Sequence, residues 1–169
     1  MFDPTAFDNL KTVIEGAIYD LDLENTLVVV DRRDLVDLAH FSRTYEIAFR
    51  LRADENAPIL CKVTLEMELE QIARELLQES SQPGCALSIA FFMPVEQPET
   101  TCPLIEKTLL RIWGENRIIR QTLRRDHKES DWHNEIEVQF GRLIREENVD
   151  DVLAMVPYML QSLQELRAF

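Results

Sequence analysis

Cysteine is scarce and forms no pattern. Cys61, Cys85 and Cys102 are odd in number and widely spaced, so they frame neither a disulfide scaffold nor a zinc ribbon, both of which need closely paired thiols. A reducing cytoplasm is the expected compartment. No run approaches the ~20 apolar residues of a membrane-spanning helix, and the opening MFDPTAFDNL has neither the positive start nor the apolar centre of a secretion signal. The four glycines fall in no GxGxxG, P-loop or GxSxG arrangement, which leaves phosphate-cradling loops and a nucleophile elbow without support. Basic residues are outnumbered as well: 18 Lys and Arg against 31 Asp and Glu give a formal charge of −13. Such a field repels nucleic acid and anionic membranes and suits cationic partners.

What is present is period two. Between Arg43 and Met67, Tyr45, Ile47, Phe49 and Leu51 alternate with polar or small residues, and after ADENAP the alternation resumes at Ile59, Cys61, Val63 and Leu65. Two runs with one buried and one wet face, separated by Asp, Asn and Pro, predict an antiparallel hairpin. Before it, Asp3-Pro4 opens a helix over ~4–21 whose Phe7, Leu10, Val13, Ile14, Ala17, Ile18 and Leu21 follow the i, i+3, i+4, i+7 spacing. Gly16 interrupts that helix, as close packing against another backbone would require. Asp22–Asn25 reads as a loop and Thr26–Asp31 as a strand buried on both faces, because its valines are consecutive. Asp31–Ser42 reads equally as a helical turn or as a strand running on into Tyr45.

After the hairpin, Leu65, Leu69, Ile72, Ala73, Leu76 and Leu77 switch to helical spacing up to a stop near Ser80, before SSQPG. Ala86–Met93 is almost wholly apolar and suits a mid-sheet strand covered on both faces. Thr101 is placed to cap a helix that carries Pro103 in its first turn and ends at Gly114. Residues 116–140 fit a second hairpin with DHKESDWHN at its tip, with a helix through Ile136, Phe140, Leu143 and Ile144 as the alternative. Asn148 then caps a closing helix with Val149, Val152, Leu153, Val156, Leu160 and Leu163 as its stripe, kinked at Pro157. The expected fold class is α+β, a mostly antiparallel sheet with helices packed on one face. Residues 1–169 are expected to form a single domain.

Chemistry is thinly represented. His127, Asp131 and His133 lie in one polar loop and are able in kind to hold a divalent metal, but no metalloenzyme spacing accompanies them. Solvated loop tips collect such residues anyway. Cys61 points inward from a strand, whereas Cys85 and Cys102 stand at element boundaries open to solvent; no base is assigned to either. Carboxylates are too abundant to single out a catalytic pair. The segment 107–128 reverses the chain's sign, with seven Lys and Arg against Glu115 and Asp126. In a strand there, Arg120 and Arg124 share one face, while Arg117 and Arg125 share the other. These four are candidates for binding an anion or an acidic peptide. Internal pairing with acidic surfaces such as the Glu66–Glu79 helix is the simpler account.

In element order, Asp3–Met93 together with a closing helix at Asn148–Phe169 resembles the small acidic domains of the type III secretion chaperone-like superfold and their free-standing cytoplasmic relatives. The helix at Thr101–Trp113 is additional to that pattern. The resemblance implies a homodimeric protein-binding module and transfers no functional residue. The leading expectation is a non-enzymatic cytoplasmic adaptor or chaperone-like module, a homodimer and protein binder with no cofactor. The alternative is a small metal-dependent hydrolase or ligand-binding enzyme using His127, Asp131 and His133.

Overall fold

A computed structural model describes residues 5–54, 58–77 and 82–169. Helix α1 (Thr5–Leu23) leads into strands β1 (Leu27–Asp37), β2 (Ser42–Leu51) and β3 (Leu60–Met67). A short helix α2 (Leu69–Leu76) precedes β4 (Cys85–Val95), and α3 (Pro98–Trp113) precedes the hairpin β5 (Ile118–Arg124) and β6 (Trp132–Gln139). The short β7 (Leu143–Ile144) and α4 (Val149–Leu166) close the chain. The seven strands join one sheet in the order β1-β2-β3-β4-β6-β5, with β7 beside β4. Every pairing is antiparallel. The fold is therefore α+β, as the residue pattern predicts.

Alternation decides which face is covered. Tyr45, Ile47 and Phe49 of β2, Cys61, Val63 and Leu65 of β3, and Ile89 and Phe91 of β4 are buried on one face, where they meet Phe7, Leu10, Ile14 and Ile18 of α1 and Met159 and Leu163 of α4. The hairpin drawn from residues 43–67 forms in the register Phe49↔Cys61 and Tyr45↔Leu65. Its turn begins with a 3-10 segment at Arg52–Asp54; the rest of the ADENAP reading, residues 55–57, lies outside the described residues. So do Asp3-Pro4 and the helix stop near Ser80.

Because β6 lies between β4 and β5 and is antiparallel to both, β4 and β5 run parallel with one strand between them. Helix α3 is the crossover that carries the chain over that gap. It is anchored to α4 by the Trp113 indole N–H, which donates to Ser162 Oγ at 2.9 Å, and by an edge-on ring contact of Trp113 with Tyr158; a second edge-on contact joins Trp113 to Phe140, just past β6. Helix α1 is held at its other end by α2: the Glu75 carboxylate accepts hydrogen bonds from the Thr5 and Ala6 backbone N–H groups. A carboxylate there satisfies orphan donors and meets the positive end of the helix dipole.

Several expectations are corrected. The strand read at Thr26–Asp31 as buried on both faces is an edge strand running to Asp37, in which Leu27 alone is buried. A bulge between Val29 and Asp31 breaks its register. The ambiguous 31–42 segment is strand through Asp37 and then a turn, closed by Asp37 Oδ1 accepting from the Ala39 and His40 N–H groups. β4 is central, but only one of its faces is covered. Helix α3 begins at Pro98, which supplies the pre-set φ of a first helical position, so Thr101 lies inside it rather than capping it. In α2 only Ile72 is buried, and in α4 Met155 and Met159 take core positions while Leu153 is exposed. Residues 116–140 are the hairpin rather than the helix.

Glycine positions yield a paired prediction. A Cβ at Gly16 would meet nothing within 4 Å, so the close packing expected there is absent and Gly16→Ala should stabilise by about 0.5–1 kcal/mol in urea unfolding. A Cβ at Gly84 would lie 2.8 Å from the Cβ of Leu143, and Gly84→Ala should destabilise by about 1–3 kcal/mol. A second prediction concerns the clamp of α1 onto the β1–β2 hairpin, where Lys11 Nζ lies 2.9 Å from Asp34 and Arg43 pairs with both Asp8 and Asp34. Partial burial pushes the Asp34 carboxyl up, but Lys11 and Arg43 outweigh it and hold the carboxyl below 3.8. Stability from a depressed carboxylate is present above its unfolded pKa and lost as pH falls through its folded one. Asp34→Asn should therefore cost about 0.5–1 kcal/mol at neutral pH, and the difference from the parent should vanish in acid.

Candidate functional site: an open sheet face and its two edges

With α1, α3 and α4 on one face, the other carries no helix among the described residues. Across β2, β3 and β4 its centre is small or weakly polar. Ala48, Lys62 and Ala90 form one cross-strand row, with Thr64 and Ser88 in the next and Glu66 and Ala86 in the one beyond. Ala48 and Ala90 are only 8% and 4% exposed, because the flanking side chains close over them. Lys62 spans this centre, pairing with Glu46 at 3.2 Å and lying 5.4 Å from the Phe92 ring. A groove of about 500 Å³ runs beside it between Glu66 and Glu137, bordered by Thr64, Ser88, Gln139 and Arg142. The Glu137 carboxylate accepts from Ser88 Oγ at 3.2 Å and from Gln139 Nε2 at 3.3 Å.

Both ends of the sheet are unpaired on their outer sides among the described residues. At β1 and the turn that follows, Leu35, Val36, Leu38 and Phe41 are exposed, Leu38 to 77%. Residue patterning missed this surface, because consecutive valines read as burial. The signal that would have found it is Asp31-Arg32-Arg33-Asp34, since charges of both signs inside a strand are a common device for blunting an edge.

The other edge, β5, gathers the basic residues. Arg120 and Arg124 face the open side, opposite Glu137 and His133 of β6, as the period-two reading expects. Arg124 lies 3.7 Å from Glu135. The guanidinium of Arg117 sits 5.0 Å from the Phe140 ring and that of Arg125 sits 4.5 Å from the Trp132 ring. Internal compensation is partial: Arg111 pairs with Glu165 and Arg124 with Glu135. Among the described residues, no ion pair joins Arg117, Arg120, Arg124 or Arg125 to the Glu66–Glu79 region.

The polar loop does not converge. His133 Nε2 is 2.9 Å from Glu129 Oε2, Asp131 accepts from Ser130 Oγ, and His127 is exposed at the tip. No group of three His, Cys, Asp or Glu side chains among the described residues is placed to hold a metal ion. A pocket of about 570 Å³ between Pro58, Met93, Thr101 and Leu166 includes Asp131 and Glu96, but its lining brings no histidine or cysteine beside them. No helix among the described residues is long and apolar enough to cross a membrane.

The thiols are placed for structure. Burial raises Cys61 well above 9.0 and pushes Cys85 up to about 12, with Glu75 and Glu146 adding to the latter. Cys85 is thus buried rather than open to solvent as expected. Cys102 is half-buried, 3.8 Å from Asn134 Nδ2, and burial raises its pKa as well. Only Cys102 should react with a disulfide reagent in the native state, at a rate still climbing past pH 9.0 because the thiolate is the nucleophile. Cys61 and Cys85 should react only after unfolding, and Cys102→Ser should silence the native protein; immediate reaction of all thiols would contradict this placement.

Comparison of the chain with protein-family models, with curated proteins and with solved structures finds no match.

Proposed function

We propose that the chain is a non-enzymatic protein-binding module of adaptor or chaperone-like kind that works as a cytoplasmic homodimer and holds an extended segment of another protein against its sheet. The observation that carries this reading is the uncovered sheet face with two unpaired edges. An edge strand offers a row of backbone donors and acceptors to an incoming strand, and the side chains around it set specificity. The element order shared with type III secretion chaperone-like domains supports the same reading by analogy.

Of the two edges, β1 suits a second copy. It carries Arg32 and Arg33 among Asp31, Asp34 and Asp37, so two copies running antiparallel along it meet charges of both signs. The exposed apolar residues of its hairpin would leave water at the same contact, and apolar burial is the main driving force of association. Two copies meeting along β5 would instead bring arginine against arginine.

Light scattering should give a mass near twice 19.7 kDa, and Val36→Asp/Leu38→Asp should return it to the monomer with the far-ultraviolet circular dichroism unchanged. A parent that stays monomeric at high micromolar concentration would remove the dimer from the reading. A dimer untouched by the double substitution would move its interface elsewhere.

A further inference from the structure

We propose that the β5 edge is the docking strand for the partner, and that the segment it takes is acidic: an extended stretch with Asp or Glu at alternate positions and apolar residues between them. This rests on the binding-module reading and supplies the chemistry of the partner.

Three observations lead here. First, β5 is the last strand of the sheet, bonded on one side to β6. Among the described residues nothing pairs with its outer backbone groups, which can accept a strand, and a strand is what an oligonucleotide or a small anion does not provide. Second, the charge is one-sided. Within β5 and its immediate flanks stand Arg117, Arg120, Arg124 and Arg125 with no acidic residue between them, in a chain whose net charge is −13. A cationic strip in an acidic field guides an acidic segment to this edge and turns it away from the rest of the surface. Third, three of the four arginines are positioned without an ion pair among the described residues, and the fourth, Arg124, is exposed and meets Glu135 only at 3.7 Å. Ring contacts hold Arg117 and Arg125, and those contacts leave guanidinium N–H groups for carboxylates. Arg120 forms no ion pair among the described residues, and Glu137 across from it accepts its hydrogen bonds from Ser88 and Gln139.

The side-chain pattern of the partner follows from the pleat. Arg120 and Arg124 lie on the open face four positions apart, about 13 Å at ~3.3 Å per residue. An added strand places every second side chain on that same face, and carboxylates there meet the two arginines. The alternate side chains fall on the helix-covered face beside Ile119, which packs against the core, and the half-buried Leu123. Apolar residues fit them.

The test uses the full chain and a fluorescein-labelled peptide of about nine residues alternating Glu and Val, the length of one strand, followed by fluorescence anisotropy. Three controls are a Lys-for-Glu peptide, the acidic peptide with alternate backbone nitrogens methylated so that it cannot pair, and a single-stranded oligonucleotide of equal charge. The acidic peptide is expected to bind, to weaken as salt is raised, and to lose at least about tenfold in affinity against Arg120→Glu/Arg124→Glu, since reversal sets like charges face to face. Arg33→Glu on the opposite edge should leave binding within about twofold of the parent. Should the charge-reversed protein lose its circular dichroism signal, Arg120→Gln/Arg124→Gln takes its place with the same direction of effect.

Absence of binding at millimolar peptide overturns the proposal. So does equal binding of the lysine, methylated or oligonucleotide probe, and so does indifference to the substitutions at 120 and 124. Val36→Asp/Leu38→Asp should bind the acidic peptide as the parent does, so failure of the dimer and failure of the β5 site read out separately.

Discussion

A seven-stranded antiparallel sheet whose long helices all lie on one face has to make the opposite face acceptable to water, and this constraint organises much else. The covered face takes the large side chains, Tyr45, Phe49 and Phe91 among them. The open face takes few, the paired Leu60 and Phe92 among them, because an apolar patch covering that whole area would drive association. It is built instead of Ala, Ser and Thr at the centre, with Lys62, Glu46, Glu66 and Glu137 around them. Small residues in a strand forgo packing energy, so their concentration at the middle of a sheet is a cost in stability. What that cost leaves is a surface against which another chain can lie.

The same constraint bears on how the helices are joined. Helix α3 crosses the sheet so that β5 ends outside β6, which sets a basic strand at the rim rather than in the interior. Buried in the middle, Arg120 and Arg124 would each need a partner, because an uncompensated buried charge costs several kcal/mol. At the edge they remain hydrated. The clamp of Lys11, Asp34, Asp8 and Arg43 acts at the far end of the sheet in the same spirit. It fixes α1 over the β1–β2 hairpin while leaving Leu35, Val36 and Leu38 beyond the reach of the helix.

Strong alternation made part of this legible in the residues alone. Tyr45 to Leu51 and Cys61 to Leu65 name a hairpin and its buried face because a half-covered sheet is the one environment that demands period two. Residues 118–139 follow the same rule. Where patterning failed, a competing rule was at work. Val28-Val29-Val30 is apolar throughout, and composition cannot tell a strand buried on both faces from an edge strand that meets a neighbour. The start of α3 was displaced because Thr101 is a good cap by type, while Pro98 is the better first residue by geometry. In α4 the methionines at 155 and 159, flexible enough to fill irregular gaps, join the core while Leu153 of the expected stripe is exposed and Val156 packs at its margin. The basic strip was visible because charge clusters along the chain. The apolar hairpin tip was not, since exposure is a property of the assembled sheet.

Sign, then, distinguishes the two edges. The β1 edge mixes Asp and Arg and can meet a like copy without net repulsion. The β5 edge is uniformly basic and can meet a like copy only against four arginines on each side. If one edge is to self-associate and the other is to stay available, charge has to make the choice, because both strands present similar backbone groups and both expose apolar side chains, Ile118 to 65% at one and Val36 to 60% at the other. A strongly acidic chain sharpens that choice. Its field opposes approach of acidic segments except near the strip where the sign is reversed, so on the proposed reading acidity elsewhere in the molecule would contribute to specificity at β5 without touching the ligand.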